Sequence, residues 1–168
     1  DGTKSFVCGV PLYGCLLGLS DGTSPLVGAA YYPALDELIY AGQGLGAWWN
    51  GRRASVSKVD KLSDAVLLSS EYKQTFEARL PLFHRLVDAT YIQRTWGDSY
   101  GYLLVATGRA DIMIDPLMWL WDCAPFQVIL EEAGGTFTDW KGKPTIYASE
   151  SVATNGVLFN AVMGLINE

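Results

Sequence analysis

Histidine is nearly missing from this 168-residue chain, where His84 is the only one. A Ser-His-Asp hydrolase needs a histidine in a cleft beside its nucleophile. His84 instead sits next to Arg85 in a stretch with helical apolar spacing, the setting of a surface or boundary residue. Cysteine is also scarce. Cys8, Cys15 and Cys123 are odd in number and show no CxxC spacing, which argues against a disulfide framework and fits free thiols in a reduced compartment. Basic residues are outnumbered, with 12 Lys and Arg against 18 Asp and Glu and a formal net charge of −6. A nucleic-acid partner, which requires clustered cations, is therefore not expected. No apolar run approaches the roughly 18 to 20 residues of a bilayer span, and no charged-then-apolar leader is seen. The expectation is a cytoplasmic protein without a membrane partner. Neither GxxxxGK[ST] nor GxGxxG after a strand is present, so the common nucleotide-binding signatures are missing as well.

Apolar residues make up 49% of the chain, enough for a domain-sized core without covalent staples. Residues 6 to 60 read as antiparallel strands and turns. YGCLLGLS and LVGAAYYP flank an Asp21-Gly22 turn, and Asn50-Gly51 is a type I′ hairpin signal. From residue 65 strand and helix alternate, which implies helices packed on a sheet. AVLLSSE, YIQRTW, DIMIDP, TFTDW and SVATN read as extended. Residues 74–89, with apolar positions at 76, 80, 83, 86 and 87, predict a helix kinked or interrupted at Pro81. GDSYGYLLVATGRA and LFNAVMGLINE read as helical, and WDCAPFQVILEEAGG as a helix stopped by Gly134-Gly135. The six tryptophans read as core and boundary packing.

Three loops place acids where elements meet. The chain begins DGTKSF: Gly2 allows close backbone approach, Asp1 offers oxygen to a hard cation, and Thr3 adds a hydroxyl. GDSYGY presents Asp98 and Ser99 before a helix, and Asp122 heads the WDCAPF helix with Asp115 seven residues earlier at a strand end. Each alone is an ordinary turn, helix cap or solvated acid. Recurrence without a basic cluster favours a divalent metal bridging a phosphate substrate.

Taken together, DGTKSF and WDCAPFQVILEEAGG resemble the DPxDGT and WDxA…EAGG signatures of the inositol monophosphatase superfamily. GLGAWWNGRR and SVATNGVL resemble further stretches of it, and TWGDSYGYLLVATGRADIMIDP resembles the histidinol-phosphate phosphatases within it. The resemblance implies an α/β fold, the layered αβαβα sandwich of that superfamily. Residues 1–62 would be the strand-rich remainder of an N-terminal subdomain and 63–168 a C-terminal α/β subdomain. It also implies Mg²⁺-dependent hydrolysis of a small phosphomonoester, with about two or three ions in the complete site. Asp1 and Asp122 would be metal ligands, Asp1 and Thr3 catalytic, and Gly2, Thr3, Asp98 and Asp115 substrate-binding. A homodimer is the expected assembly. Histidinol phosphate is the expected substrate, and inositol-1-phosphate, another sugar phosphate or a nucleotide bisphosphate is the alternative.

The superfamily's first aspartate of DPxDGT and an upstream glutamate have no counterpart here. The chain is therefore expected to be the N-terminally truncated, C-terminal part of a longer enzyme and inactive alone. A non-catalytic module that associates through exposed strands is the reading from another class.

Overall fold

The hairpin expected around Asp21-Gly22 forms. In a computed structural model that describes residues 1–70 and 80–167, β1 (Cys15–Ser20) pairs antiparallel with β2 (Pro25–Tyr32). Asp21 Oδ1 accepts from the N–H groups of Thr23 and Ser24 at 2.8 Å each, which closes the turn. β3 (Glu37–Gly42), β4 (Gly46–Trp49) and β5 (Arg52–Arg53) extend this into a five-stranded sheet in sequence order, antiparallel throughout. Between β4 and β5, Asn50 and Gly51 have φ of 45° and 75°, the two left-handed residues that a type I′ turn requires.

The second half alternates as its sequence suggests. β6 (Val66–Ser69), α2 (Leu80–Ala89), β7 (Ile92–Arg94), α3 (Tyr100–Ala106) and β8 (Ile112–Asp115) come first. They are followed by α4 (Leu120–Glu132), β9 (Thr136–Thr138), β10 (Ser151–Thr154) and α5 (Phe159–Asn167). The sheet order is β7-β6-β8-β10-β9, with β6 parallel to both neighbours and β10 antiparallel to both of its own. Residues 74–79 of the helix expected over 74–89 lie outside the described residues. So do the residues before Leu80 on which the kink expected at Pro81 depends, and Glu71 and Glu168 at the ends of other expected elements.

Four layers result. α4 packs on β1 and β2 with its other side toward α3 and β9, so α3 and α4 lie between the two sheets. Tyr32, Ile39, Leu103, Met113 and Phe126 share that central core. Beyond the second sheet, Leu86 of α2 and Val162 of α5 close over Leu67, Ile112, Ile114 and Val152. The strand IMID is buried along its whole length because helices cover both of its faces. The opposite face of the first sheet presents Leu17, Leu19, Val27, Tyr31, Leu38 and Tyr40, all exposed.

Several local readings needed revision. Residues 3–7 form a short helix, α1 (Thr3–Val7), where a loop and then strand were expected. Gly2, at φ 80°, turns the chain into it and its carbonyl accepts from Phe6 N–H at 2.9 Å. α4 starts at Leu120, with Trp119 extended before it, so Asp122 is in the first turn and not at the cap position. Its end matches expectation: Gly135 N–H donates to Leu130 O at 2.8 Å and Gly134 N–H to Glu131 O at 3.0 Å, a Schellman closure. Of the tryptophans read as packing residues, Trp140 is buried but Trp96, Trp119 and Trp121 are exposed. His84 is exposed, as expected. Cys8, Cys15 and Cys123 are all free. Among the described residues no helix is long and apolar enough to cross a membrane.

Candidate active site

Asp1 is fixed to two distant parts of the fold. Its N–H group donates to Gly14 O at 2.7 Å, and its own carbonyl accepts from Gly14 N–H at 3.0 Å. Its side-chain Oδ2 accepts from Ser99 N–H at 2.9 Å, so the first acidic loop is tied directly to the second. Gly2 is buried, and a Cβ there would lie 2.6 Å from Leu12 O. That contact and its left-handed φ leave no room for a side chain. Thr3 is exposed at the start of α1.

Asp98 follows Gly97, whose φ of 79° turns the chain after β7, and is half-buried just before α3. Ser99 occupies the cap position of α3 but makes no side-chain cap. Asp115 ends β8 and is buried, with Oδ1 accepting from Leu117 N–H at 3.1 Å. Asp122 Oδ2 accepts from Trp119 N–H at 3.1 Å, which orients the carboxylate at the start of α4.

These acids converge. One cleft of about 490 Å³ is lined by Asp1, Asp98, Asp115 and Asp122. A second, of about 710 Å³, is lined by Asp1, Gly2, Thr3, Asp98 and Asp122 and shares three of these acids with the first. Every residue singled out from the sequence therefore lines one or both. Lys4 lines both clefts and was not anticipated, although a cation directly after DGT was a visible signal. Ser70 and Tyr102 were missed too. Ser70 follows β6 beside β8, where Ser69 pairs with Ile114, so its place next to Asp115 depends on a strand pairing that the sequence does not display.

The Asp115 carboxyl is pushed up to about 7, chiefly by burial and also by the charges of Asp98 and Asp122, against hydrogen bonds from Leu117 and Ser70. Asp122 is raised for the same first reason, opposed by the Trp119 N–H. Burial also pushes the Cys123 thiol up to about 12, so it is a packing residue and not a nucleophile.

The Asp115 shift has a stability consequence. Its folded value lies above the ordinary 3.8, so between these values the folded chain holds a proton that the unfolded chain releases. Stability from this group is thus fully present below about pH 4 and declines as pH rises through about 7, by about 4 kcal/mol in all. Asp115→Asn is expected to remove that decline. Urea midpoints for parent and variant should diverge in favour of the variant between pH 5 and pH 8. Parallel curves would show that Asp115 does not titrate in this range.

Among the described residues no three His, Cys, Asp or Glu side chains form a ready-made metal cage. The oxygen donors nevertheless suit a hard cation of the magnesium kind, which is ordinarily held by one or two carboxylates with water and phosphate completing its shell. Asp1 and Asp122 open on both clefts, and each uses one carboxylate oxygen for a backbone N–H.

The fold and site define a layered α/β protein whose acidic cleft gathers loops from both sheets, at the strand-to-helix junctions where ligands commonly bind. The profile of the inositol monophosphatase family matches residues 1–167, and the chain belongs to that family. It is 38% identical over 171 residues to a histidinol-phosphatase of Chlorobaculum parvum, covering 99% of this chain and 66% of that protein. To a histidinol-phosphatase of Streptomyces coelicolor it is 35% identical over 178 residues, covering 100% and 67%. The crystal structure of the extragenic suppressor protein suhB from Bartonella henselae matches with a TM-score of 0.93 at 27% identity, over 100% of this chain and 66% of that one. The chain thus spans about two thirds of the length of the curated relatives it matches.

Proposed function

We infer that the whole protein to which this chain belongs is a Mg²⁺-dependent phosphomonoesterase acting on histidinol phosphate, and that the 168-residue chain alone is inactive. The observation that carries this is the convergence of Asp1, Gly2, Thr3, Asp98, Asp115 and Asp122 on adjoining clefts in a chain similar to histidinol-phosphatases. In this reading Asp1 and Asp122 hold the metal. When bound, Mg²⁺ would supply charge neutralisation at the phosphoryl group and a more acidic water. Gly2 allows the phosphate to approach the backbone, and the Thr3 hydroxyl holds it and orients the attacking water. Lys4, the basic side chain common to both clefts, adds a positive charge near the phosphate.

Asp98 and Asp115 face the alcohol portion. Histidinol carries an ammonium group, and a pair of acids is its natural counter-charge. An ammonium beside Asp115 would also draw that carboxyl from its half-protonated state near pH 7 to the charged form. The reading includes a cytoplasmic homodimer and the division into subdomains at residues 62 and 63.

Phosphate release from histidinol phosphate by the whole protein, measured with added Mg²⁺ and after chelation, tests the metal-dependent activity. The expected result is release that chelation stops and Mg²⁺ restores; full activity in chelator would sink the reading. Asp98→Asn is expected to raise the KM for histidinol phosphate by about tenfold relative to that for inositol-1-phosphate, since one charge-assisted contact is lost. Equal changes for the two substrates would remove Asp98 from recognition of the ammonium.

A further inference from the structure

Trp119 and Trp121 flank the start of α4 in an arrangement that core packing does not explain. Their rings are stacked with 10° between planes and centroids 5.5 Å apart, yet they are 56% and 66% exposed. Both line the cleft that holds Asp1, Gly2, Thr3, Asp98 and Asp122. The backbone N–H of Trp119 is held by the Asp122 carboxylate, so the pair is positioned by one of the acids expected at the chemistry.

Large apolar rings held in water-facing contact with each other form a flat surface with an electron-rich face. Such a surface attracts planar rings by stacking and cations through the ring quadrupole. The neighbouring carboxylates add negative charge of the same preference. The 5.5 Å spacing leaves no gap for a third ring between the two, so a ligand would stack on an outer face.

We propose that the Trp119–Trp121 pair is the subsite for a planar, protonatable heteroaromatic group on the alcohol portion of the substrate. This rests on the histidinol phosphate reading, because histidinol carries such a group, an imidazole. An inositol ring has neither a planar π-face nor a charge and gains little from the pair. The phosphate then lies toward Asp1, Gly2 and Thr3, the ring against the tryptophans, and the ammonium toward Asp98, all along one cleft.

The test is steady-state kinetics of the whole protein with histidinol phosphate and with glycerol 2-phosphate, a phosphomonoester without a ring. Trp121→Ala is expected to raise the ratio of the two KM values by about tenfold, the size of one stacking or cation–π contact. The kcat ratio should move much less. Trp121→Phe, which keeps a π-face, should recover most of the loss, and both side chains are exposed enough that folding should survive either change. A KM ratio that stays constant in Trp121→Ala, or a Phe variant no better than Ala, overturns the subsite while leaving the substrate reading intact. If the parent protein hydrolyses glycerol 2-phosphate but not histidinol phosphate, the substrate reading fails and the subsite fails with it.

Discussion

Asp122→Asn is expected to lower Mg²⁺-dependent phosphate release by on the order of 10²- to 10³-fold, the several kcal/mol that a catalytic metal supplies. The substitution is isosteric, and the amide oxygen can still accept from Trp119 N–H, so the start of α4 should be kept. What is lost is one negative charge in a cleft shared with Asp1 and Asp98. The expected result is therefore near-complete loss of activity with a thermal midpoint close to that of the parent. If the midpoint fell in step with activity, the carboxylate would be acting through the helix terminus, a role worth only ~1 kcal/mol. Activity within twofold of the parent would remove Asp122 from the metal site.

Gly28→Ala is expected to have the largest effect on stability. A Cβ at Gly28 would lie 2.2 Å from Pro125 O and 2.9 Å from Pro125 Cα, and both are backbone atoms of α4. No side chain can swing away to relieve the clash. Gly18 repeats the arrangement next door, with Ala124 Cβ at 2.7 Å. α4 therefore rests on a glycine-floored strip of β1 and β2, and its first turn carries Asp122. Moving the helix outward should cost about 3 kcal/mol or more. It should also displace Asp122 from Asp1, so activity at a temperature where the variant remains folded should fall too. Denaturant unfolding with a midpoint near that of the parent would show that the helix yields more easily than this contact implies.

The sequence made the strands of the first sheet legible because their turns carry local chemistry. Asp21 closes its turn through its own carboxylate, and Asn50-Gly51 supplies the two positive φ angles of a hairpin. The end of α4 was legible for the same reason, through Gly134 and Gly135. Its beginning was not. Asp122 resembles a cap, but the extended residue before the helix is Trp119, and the acid works from inside the first turn. α1 was missed because five residues without an apolar periodicity give no helical signal, and the helix depends on Gly2 fitting under Leu12 O.

The acids of the site were visible as residue types at element boundaries, and the family resemblance ordered them. Their meeting is a tertiary fact. It rests on contacts such as Ser99 N–H to Asp1, 98 positions apart in the chain, which no local pattern encodes. Lys4, Ser70 and Tyr102 enter the cleft through the same long-range packing. The six tryptophans read as core and boundary packing, whereas Trp119 and Trp121 stand exposed beside the acids.

The most direct test of the central claim is kcat/KM for histidinol phosphate and for inositol-1-phosphate, measured side by side on the whole protein at saturating Mg²⁺. The account expects histidinol phosphate to be preferred by about a hundredfold, the combined worth of an ammonium–carboxylate contact and a stacked ring. Equal values, or a preference for inositol-1-phosphate, would contradict it.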